Sequence, residues 1–313
     1  MIKIGIICPV KHLNDFATQS NFHLILPHLY EKFPEYKEFY KDRISKGDFV
    51  VQDNSFFELN KSIYGGDLLA YGEVLNVSEI TIPEVLHDRD ACRKEREEFL
   101  ELYHKIGSKK PLLAVAQGKN SRDLIDDILE LQTYSEISTV GVPFALDWED
   151  VSISKGIPSL TLRRVLNRWY VIDMITTICK ATSLKLKPMH LMGLADGVEL
   201  SRYSTDSERY YFIRSNDSSS AYVHGVNGIL YENRGLPTEK ISQKLDFGSS
   251  INDQAQLIGG DIFLDKIERM LHSYVNYNIN YLKKFAGQPY EQDQTISNIR
   301  FDSASIRSGD SIL

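Results

Sequence analysis

Cysteine is scarce in this sequence: Cys8, Cys92 and Cys179 are the only three, far apart and without a Cys-x-x-Cys pair. An odd, scattered set argues against a disulfide framework and a clustered zinc site, and reads as free thiols in a reducing compartment. No GxGxxG and no GxxxxGKS/T occurs, which removes the usual dinucleotide- and triphosphate-binding loops. No apolar run approaches the length of a bilayer span. The opening Met1-Ile2-Lys3-Ile4-Gly5-Ile6-Ile7 lacks the long apolar core and small-residue cleavage site of a signal peptide, and reads as a first strand. The expected location is therefore cytoplasmic, without membrane contact. Positive charge is not in excess either. With 36 Lys and Arg against 43 Asp and Glu, the net charge of −7 argues against a general nucleic-acid coat protein. It leaves room for an enzyme that grips nucleic acid with a local basic patch.

What the chain does have is a repeated pattern. Apolar stretches run into abrupt polar or glycine stops at least five times. Phe49-Val50-Val51 ends in Gln52-Asp53, and Ile80-Thr81-Ile82 in Pro83-Glu84. Leu112 to Ala116 ends in Gln117-Gly118, and His190-Leu191-Met192 in Gly193. Tyr211-Phe212-Ile213 ends in Arg214-Ser215-Asn216-Asp217. Short apolar runs are how buried parallel strands read. Helical periodicity lies between them, most clearly over Arg89 to Ile106, Ser121 to Gln132 (with Ser121 as N-cap) and Ser159 to Ala181. Further strands are expected at Ser138 to Val142 and Tyr210 to Ile213, and shorter helices at Tyr30 to Ile44, Asp67 to Leu75 and Gly197 to Tyr203. Phe22 to Tyr30 is ambiguous because Pro27 interrupts it.

Seven or eight strands alternating with helices favour an α/β fold, a closed (β/α)8 TIM barrel, over an open doubly wound sheet. A length of 313 residues fits one barrel with additions. The expected organisation is a single domain over residues 1–286, closing with a long helix from Asp261 to Phe285. A loosely held polar tail over 287–313 would follow.

In such a barrel the residues just past the strand ends line one active site. The stops would therefore bring Asp53, Glu84 and Asp217 together with a Gln and several glycines. No strand ends in lysine and no His-x-His occurs, which lowers the Schiff-base and metal-hydrolase readings. Two carboxylates are the usual equipment for cleaving a glycosidic bond. Asp217 is followed by Ser218-Ser219-Ser220, whose hydroxyls and amides could hold a carboxylate ionised for attack. The competing reading for each aspartate is a helix cap or turn closure.

Taken together, these motifs resemble the tRNA-guanine transglycosylase family. Val51-Gln52-Asp53-Asn54-Ser55-Phe56-Phe57 is similar to the family's Asp-Ser-Gly-Gly-Phe/Tyr-Gln segment, and Ala114-Val115-Ala116-Gln117-Gly118 to its Val-Gln-Gly-Gly. Val140-Gly141-Val142 stands at its Gly-Gly-Leu strand end. His190-Leu191-Met192-Gly193-Leu194 is similar to its Tyr-Leu-Met-Gly-Val, and Asn216-Asp217-Ser218 stands where its nucleophile lies. The five pieces occur in the family's order across roughly residues 48–225.

The resemblance implies base exchange, guanine in nucleic acid for a free 7-deazaguanine (preQ0-like) base, without a cofactor. Carried over by position, Asp217 is the nucleophile on C1′ and Asp53 the general acid and base. Glu84 reads the base edge. Gln117, Gly118, Gly141, Gly193 and Ser218 complete the base site, and Phe57 and Met192 sandwich the ring. Ordinary core packing is the competing reading for Phe57 and Met192.

Departures from the family pattern point to a branch. The Cys-x-Cys-x-x-Cys zinc motif is absent, so no metal is expected. Phe56 replaces a glycine, and Glu84 is a methylene longer than the family's Asp. These features resemble the divergent DNA 7-deazaguanine transglycosylases of phages and bacteria. DNA is then the expected partner, in host cytoplasm if the gene is a phage's, with tRNA the alternative and a homodimer possible. Arg163, Arg164 and Arg168 on one helix would neutralise phosphates. So would Arg202, Arg209 and Arg214 before the nucleophile, and Lys240 and Lys244 after it. Other classes consistent with the residues are an N-glycoside hydrolase and a non-catalytic nucleic-acid-binding subunit.

Overall fold

The computed structural model describes residues 1–195, 197–231, 244–259 and 264–290. Eight parallel strands form one sheet in the order β1-β8-β7-β6-β5-β4-β3-β2. They are β1 (Lys3–Ile6), β2 (Phe22–Ile25), β3 (Phe49–Gln52), β4 (Glu79–Thr81), β5 (Leu112–Val115), β6 (Ile137–Val142), β7 (Met189–Leu191) and β8 (Ile213–Ser218). Closure between β1 and β2 runs through Ser20, whose hydroxyl donates to the Ile4 carbonyl at 2.6 Å and accepts from the Phe22 amide at 3.1 Å. The result is a (β/α)8 TIM barrel.

The helices among the described residues are α1 (Pro34–Ser45), α2 (Phe56–Leu59), α3 (Gly65–Leu75), α4 (Arg89–Ile106), α5 (Ser121–Leu131), α6 (Leu160–Thr182), α7 (Val198–Thr205), α8 (Ser220–Val226), α9 (Ile251–Gly259) and α10 (Leu264–Phe285). Only 3-10 turns, Val10–His12 and Ala17–Gln19, separate β1 from β2. α10 packs on α8 so closely that a Cβ on Gly225 would lie 2.7 Å from the Val275 backbone. No described helix is long and apolar enough to cross a membrane.

The sequence patterns locate most elements to within a few residues, with four instructive shifts. Phe22–Ile25 is a strand, and Pro27 opens a 3-10 turn after it. Pro34 begins α1 rather than interrupting a longer helix, because a first-turn position needs no amide hydrogen. Asn120, not Ser121, caps α5, its side-chain oxygen accepting from the Asp123 amide at 2.9 Å. The last strand is the largest shift: it begins at Ile213, so Arg214-Ser215-Asn216-Asp217 lies inside β8 instead of beyond it. A strand this polar needs partners inside the barrel, and Arg214, Ser215 and Asp217 each hydrogen-bond a buried side chain, while Asn216 Oδ1 is buried without a partner among the described residues. The expected helix start at Asp261, and the tail over 291–313, fall outside the described residues.

The interior of the barrel is a small apolar plug of Phe22, Val51, Leu113 and Val115, with Phe49 and Met192 against it. Polar side chains surround the plug. On the side where the strands begin, Glu79 accepts from Arg214 (2.7 Å), Ser138 (2.6 Å) and Thr139 (2.5 Å). On the side where they end lie the carboxylates considered next.

Candidate active site

Asp53 directly follows β3, and its position is set by a tight turn. Ser55 adopts a left-handed conformation (φ 61°) that turns its amide back to donate to Asp53 Oδ2 at 2.8 Å. Asn54 locks the same turn by accepting from the Phe56 amide at 2.9 Å and donating to the Ile82 carbonyl at 2.9 Å. The Ser55 hydroxyl meets His28 Nδ1 at 2.8 Å. The other carboxylate oxygen, Asp53 Oδ1, is buried without a hydrogen-bond partner among the described residues. An anion is costly in such a place. Burial above all, then the nearby Glu58 and Glu84 charges, raises this carboxyl well above the usual range, against the Ser55 amide. That shift favours the protonated form of Asp53, the form a proton donor needs.

Asp217, fifth residue of β8, has the opposite surroundings. Its Oδ1 accepts from the Gly193 amide and from His190 Nε2, both at 3.0 Å. Gly193 can present its amide because it has φ +66°, a conformation open to glycine at no steric cost. Buried Arg168 fixes that turn from behind. Its guanidinium donates to the carbonyls of Met192 (3.1 Å) and Gly193 (3.0 Å) and pairs with Glu199 at 2.6 Å. The Ser218-Ser219-Ser220 run is not what holds Asp217. Ser218 Oγ faces the Ser220 hydroxyl at 2.6 Å and accepts from the Ser220 amide at 3.0 Å. That is a local turn, which a serine run makes more readily than a long reach.

Glu84 accepts from the amide nitrogens of Gln117 (2.6 Å) and Asn54 (3.2 Å). Burial still raises its carboxyl to about 7, outweighing both donors. Gln117 accepts in turn from the His87 amide at 2.9 Å, so it orients Glu84 as well as facing the site. Glu58, on the one-turn helix α2, is a fourth carboxylate. Its Oε2 is buried without a partner among the described residues, and its carboxyl is also raised to about 7, first by burial and then by the Asp217 charge. Met192 lies partly exposed over the plug at the end of β7. The site thus joins Asp53, Glu58, Glu84 and Asp217, with Asn54, Gln117, His190 and Gly193 as their partners.

Several expected residues stand elsewhere. Phe57 is 70% exposed, turned to solvent beneath the Lys244 ammonium (5.4 Å from its ring centre), so it is not a pocket wall. Gly141 lies within β6, where its carbonyl is taken by the Ala116 amide, and its lack of a side chain makes room for Val115 and Leu113. Gly118 serves close packing: a Cβ there would sit 2.4 Å from the Leu124 amide nitrogen of α5.

The basic residues are corrections of the same kind. Arg214 lies at the opposite end of the barrel, paired with Glu79 and stacked on Phe49 (4.9 Å), where no phosphate could replace a buried carboxylate cheaply. Arg163 pairs with Glu149, Arg164 with Asp147, and Arg202 with Asp173 while stacking on Trp169. Arg209 shares Asp173, and Arg168 is buried. No open basic stripe remains on α6. Lys244 donates to the Phe57 and Glu58 carbonyls at the rim of the site, and Lys240 lies outside the described residues.

No protein-family model matches the sequence, and no curated protein matches it. Among solved structures the chain is similar to the YdjI aldolase from Escherichia coli K12, at 11% identity and a TM-score of 0.49 over 92% of this chain and 91% of that one. It is also similar to the 2-keto 3-deoxygluconate aldolase from Picrophilus torridus, at 11% identity and a TM-score of 0.34 over 93% and 97%.

Proposed function

We propose that the protein is a transglycosylase that exchanges guanine in DNA for a 7-deazaguanine base. The observation that carries this reading is the opposed environment of its two aspartates: Asp53 Oδ1 is buried without a partner among the described residues, whereas Asp217 Oδ1 accepts from two donors. Differing environments of this kind can set one carboxyl as acid and the other as nucleophile. In the proposed reaction Asp217 Oδ2 attacks C1′ of the target nucleotide and the C1′–N9 bond breaks. The proton of Asp53 passes to the departing guanine, which leaves neutral. The incoming base then returns its N9 proton to Asp53 and displaces the Asp217 ester, so atoms and charges balance with no redox step. Glu84, steadied by Gln117 and Asn54, is the acceptor for the base's N–H edge. A target within a duplex must first be flipped out.

DNA is preferred over tRNA because the sequence has no Cys-x-Cys-x-x-Cys motif. The test is incubation of the purified protein with guanine-containing DNA or tRNA and a 7-deazaguanine donor, with product nucleosides read by mass spectrometry. Asp53→Ala and Asp217→Ala samples run in parallel. Deazaguanine in DNA alone, lost in both variants, is the expected result. Incorporation into tRNA alone would move the substrate. Release of guanine without incorporation would make the protein a hydrolase and overturn the exchange.

A further inference from the structure

A line of hydrogen bonds enters the site from the far side of the barrel, and nothing in the base-exchange scheme uses it. Arg214 Nε donates to Ser215 Oγ at 3.3 Å, Ser215 Oγ meets His190 Nδ1 at 2.9 Å, and His190 Nε2 meets Asp217 Oδ1 at 3.0 Å. Ser215 and His190 are fully buried, and the bidentate Glu79 contact holds the Arg214 guanidinium. The direction of each bond follows from what each group can do. Arginine has no acceptor, and an ionised carboxylate has no donor. The ring must therefore carry its hydrogen on Nε2 to satisfy Asp217. A neutral ring then has Nδ1 as acceptor, and the Ser215 hydroxyl is the donor beside it. The hydroxyl's remaining capacity faces Arg214. Every donor in the chain points toward Asp217, so the bonds polarise one another.

Both donors to Asp217, from His190 and Gly193, fall on Oδ1, and none of the described residues donates to Oδ2. We propose that Ser215 and His190 are positioning residues that lock Asp217 by Oδ1 and leave Oδ2 free to react. The assignment of Oδ2 as the reacting atom rests on the base-exchange reading; the lock on Oδ1 does not.

The experiment is a carboxyl carbon titration of the full chain labelled with 13C-aspartate, the Asp217 signal being assigned by its loss in Asp217→Asn. Wild type is compared with Ser215→Ala, His190→Phe and His190→Gln, with thermal melting as the fold check. Loss of a donor to the charged form raises an acid's midpoint. His190→Phe is expected to raise the Asp217 midpoint by a pH unit or more, about a tenfold change in its acid constant. His190→Gln, which keeps one N–H donor, should restore most of that, and Ser215→Ala should give a smaller rise in the same direction. In the base-exchange assay the acid limb of the rate profile should move with the titration.

An unmoved Asp217 midpoint in folded His190→Phe, or in Ser215→Ala should the first variant fail to fold, overturns the proposal. Midpoints that move as expected in a protein that exchanges no base would uphold the lock and sink only the reaction assigned to it.

Discussion

Replacing Arg168 by methionine should be among the most damaging single changes in this chain, although Arg168 would touch no substrate. The guanidinium is fully buried and makes three contacts, to Glu199 and to the carbonyls of Met192 and Gly193. Methionine fills much of the same volume, so the loss is electrostatic rather than a cavity. Glu199 would remain as an uncompensated buried charge, which costs on the order of 3–5 kcal/mol. Each orphaned carbonyl adds up to about 1–3 kcal/mol, in part overlapping. Urea unfolding should show a loss of about 4 kcal/mol, and melting should fall by roughly 10 °C for a domain of this size. Changing Glu199 as well, in Arg168→Met/Glu199→Leu, removes the stranded charge and should recover most of the stability. It does not re-tether the Gly193 turn, so base exchange should stay low. A single variant costing under about 1 kcal/mol, or a double variant that regains activity along with stability, would refute the assigned role.

Three further outcomes test other parts of the structure. Glu58 has its carboxyl raised from the usual 4.5 to about 7, so the native state binds the extra proton. Stability should therefore be full below about 4.5 and fall as pH rises toward 7, by on the order of 3 kcal/mol. Glu58→Gln should lessen that slope, Glu84 keeping its own share of it, and an unchanged slope would show that Glu58 does not contribute. Gly118→Ala puts a Cβ 2.4 Å from the backbone nitrogen of Leu124, which cannot yield as a side-chain tip could. A destabilisation of about 1–3 kcal/mol is expected by urea unfolding; a neutral variant would mean that the α5 N-terminus is free to move. Arg214→Met should lower stability by a few kcal/mol, since Glu79 would be left unpaired. It should leave the salt dependence of DNA binding unchanged, whereas a phosphate contact would reduce that slope by about one.

The barrel was legible because its signals are local. Short apolar runs with polar stops mark β3, β4, β5 and β7, and amphipathic spacing marks α4 and α5. Side-chain destinations were less legible, because they depend on partners far along the chain. The Arg163, Arg164 and Arg168 spacing suggests a basic stripe, yet Glu149, Asp147 and Glu199 meet these residues one by one. Arg214 stands three residues before Asp217, but the strand carries the two toward opposite ends of the barrel. His190 lay inside a quoted motif without a role. Its signal was a histidine in an otherwise apolar strand run, and only the pairing of β7 with β8 sets it against Ser215. Glu58 was hidden by Phe57, the more conspicuous neighbour. A one-turn helix points the two in different directions, and the phenylalanine is the one that goes to solvent.

The two aspartates differ through the backbone that serves them rather than through their own chemistry. After β3, the left-handed Ser55 gives Asp53 one amide and leaves its second oxygen buried without a donor. After β7, the left-handed Gly193 gives an amide to Asp217, and the strand adds His190 to the same oxygen. Both turns use positive φ, but one under-serves its carboxylate and the other holds it twice. A lone buried carboxyl tends to be neutral, and Asp53 is pushed that way, while Asp217 keeps two donors on one oxygen. Removal of the donors on Asp217 should therefore shrink the difference between the pair before it disturbs the fold. Addition of a donor near Asp53 Oδ1 should do the same from the other side, by lowering the acid's midpoint.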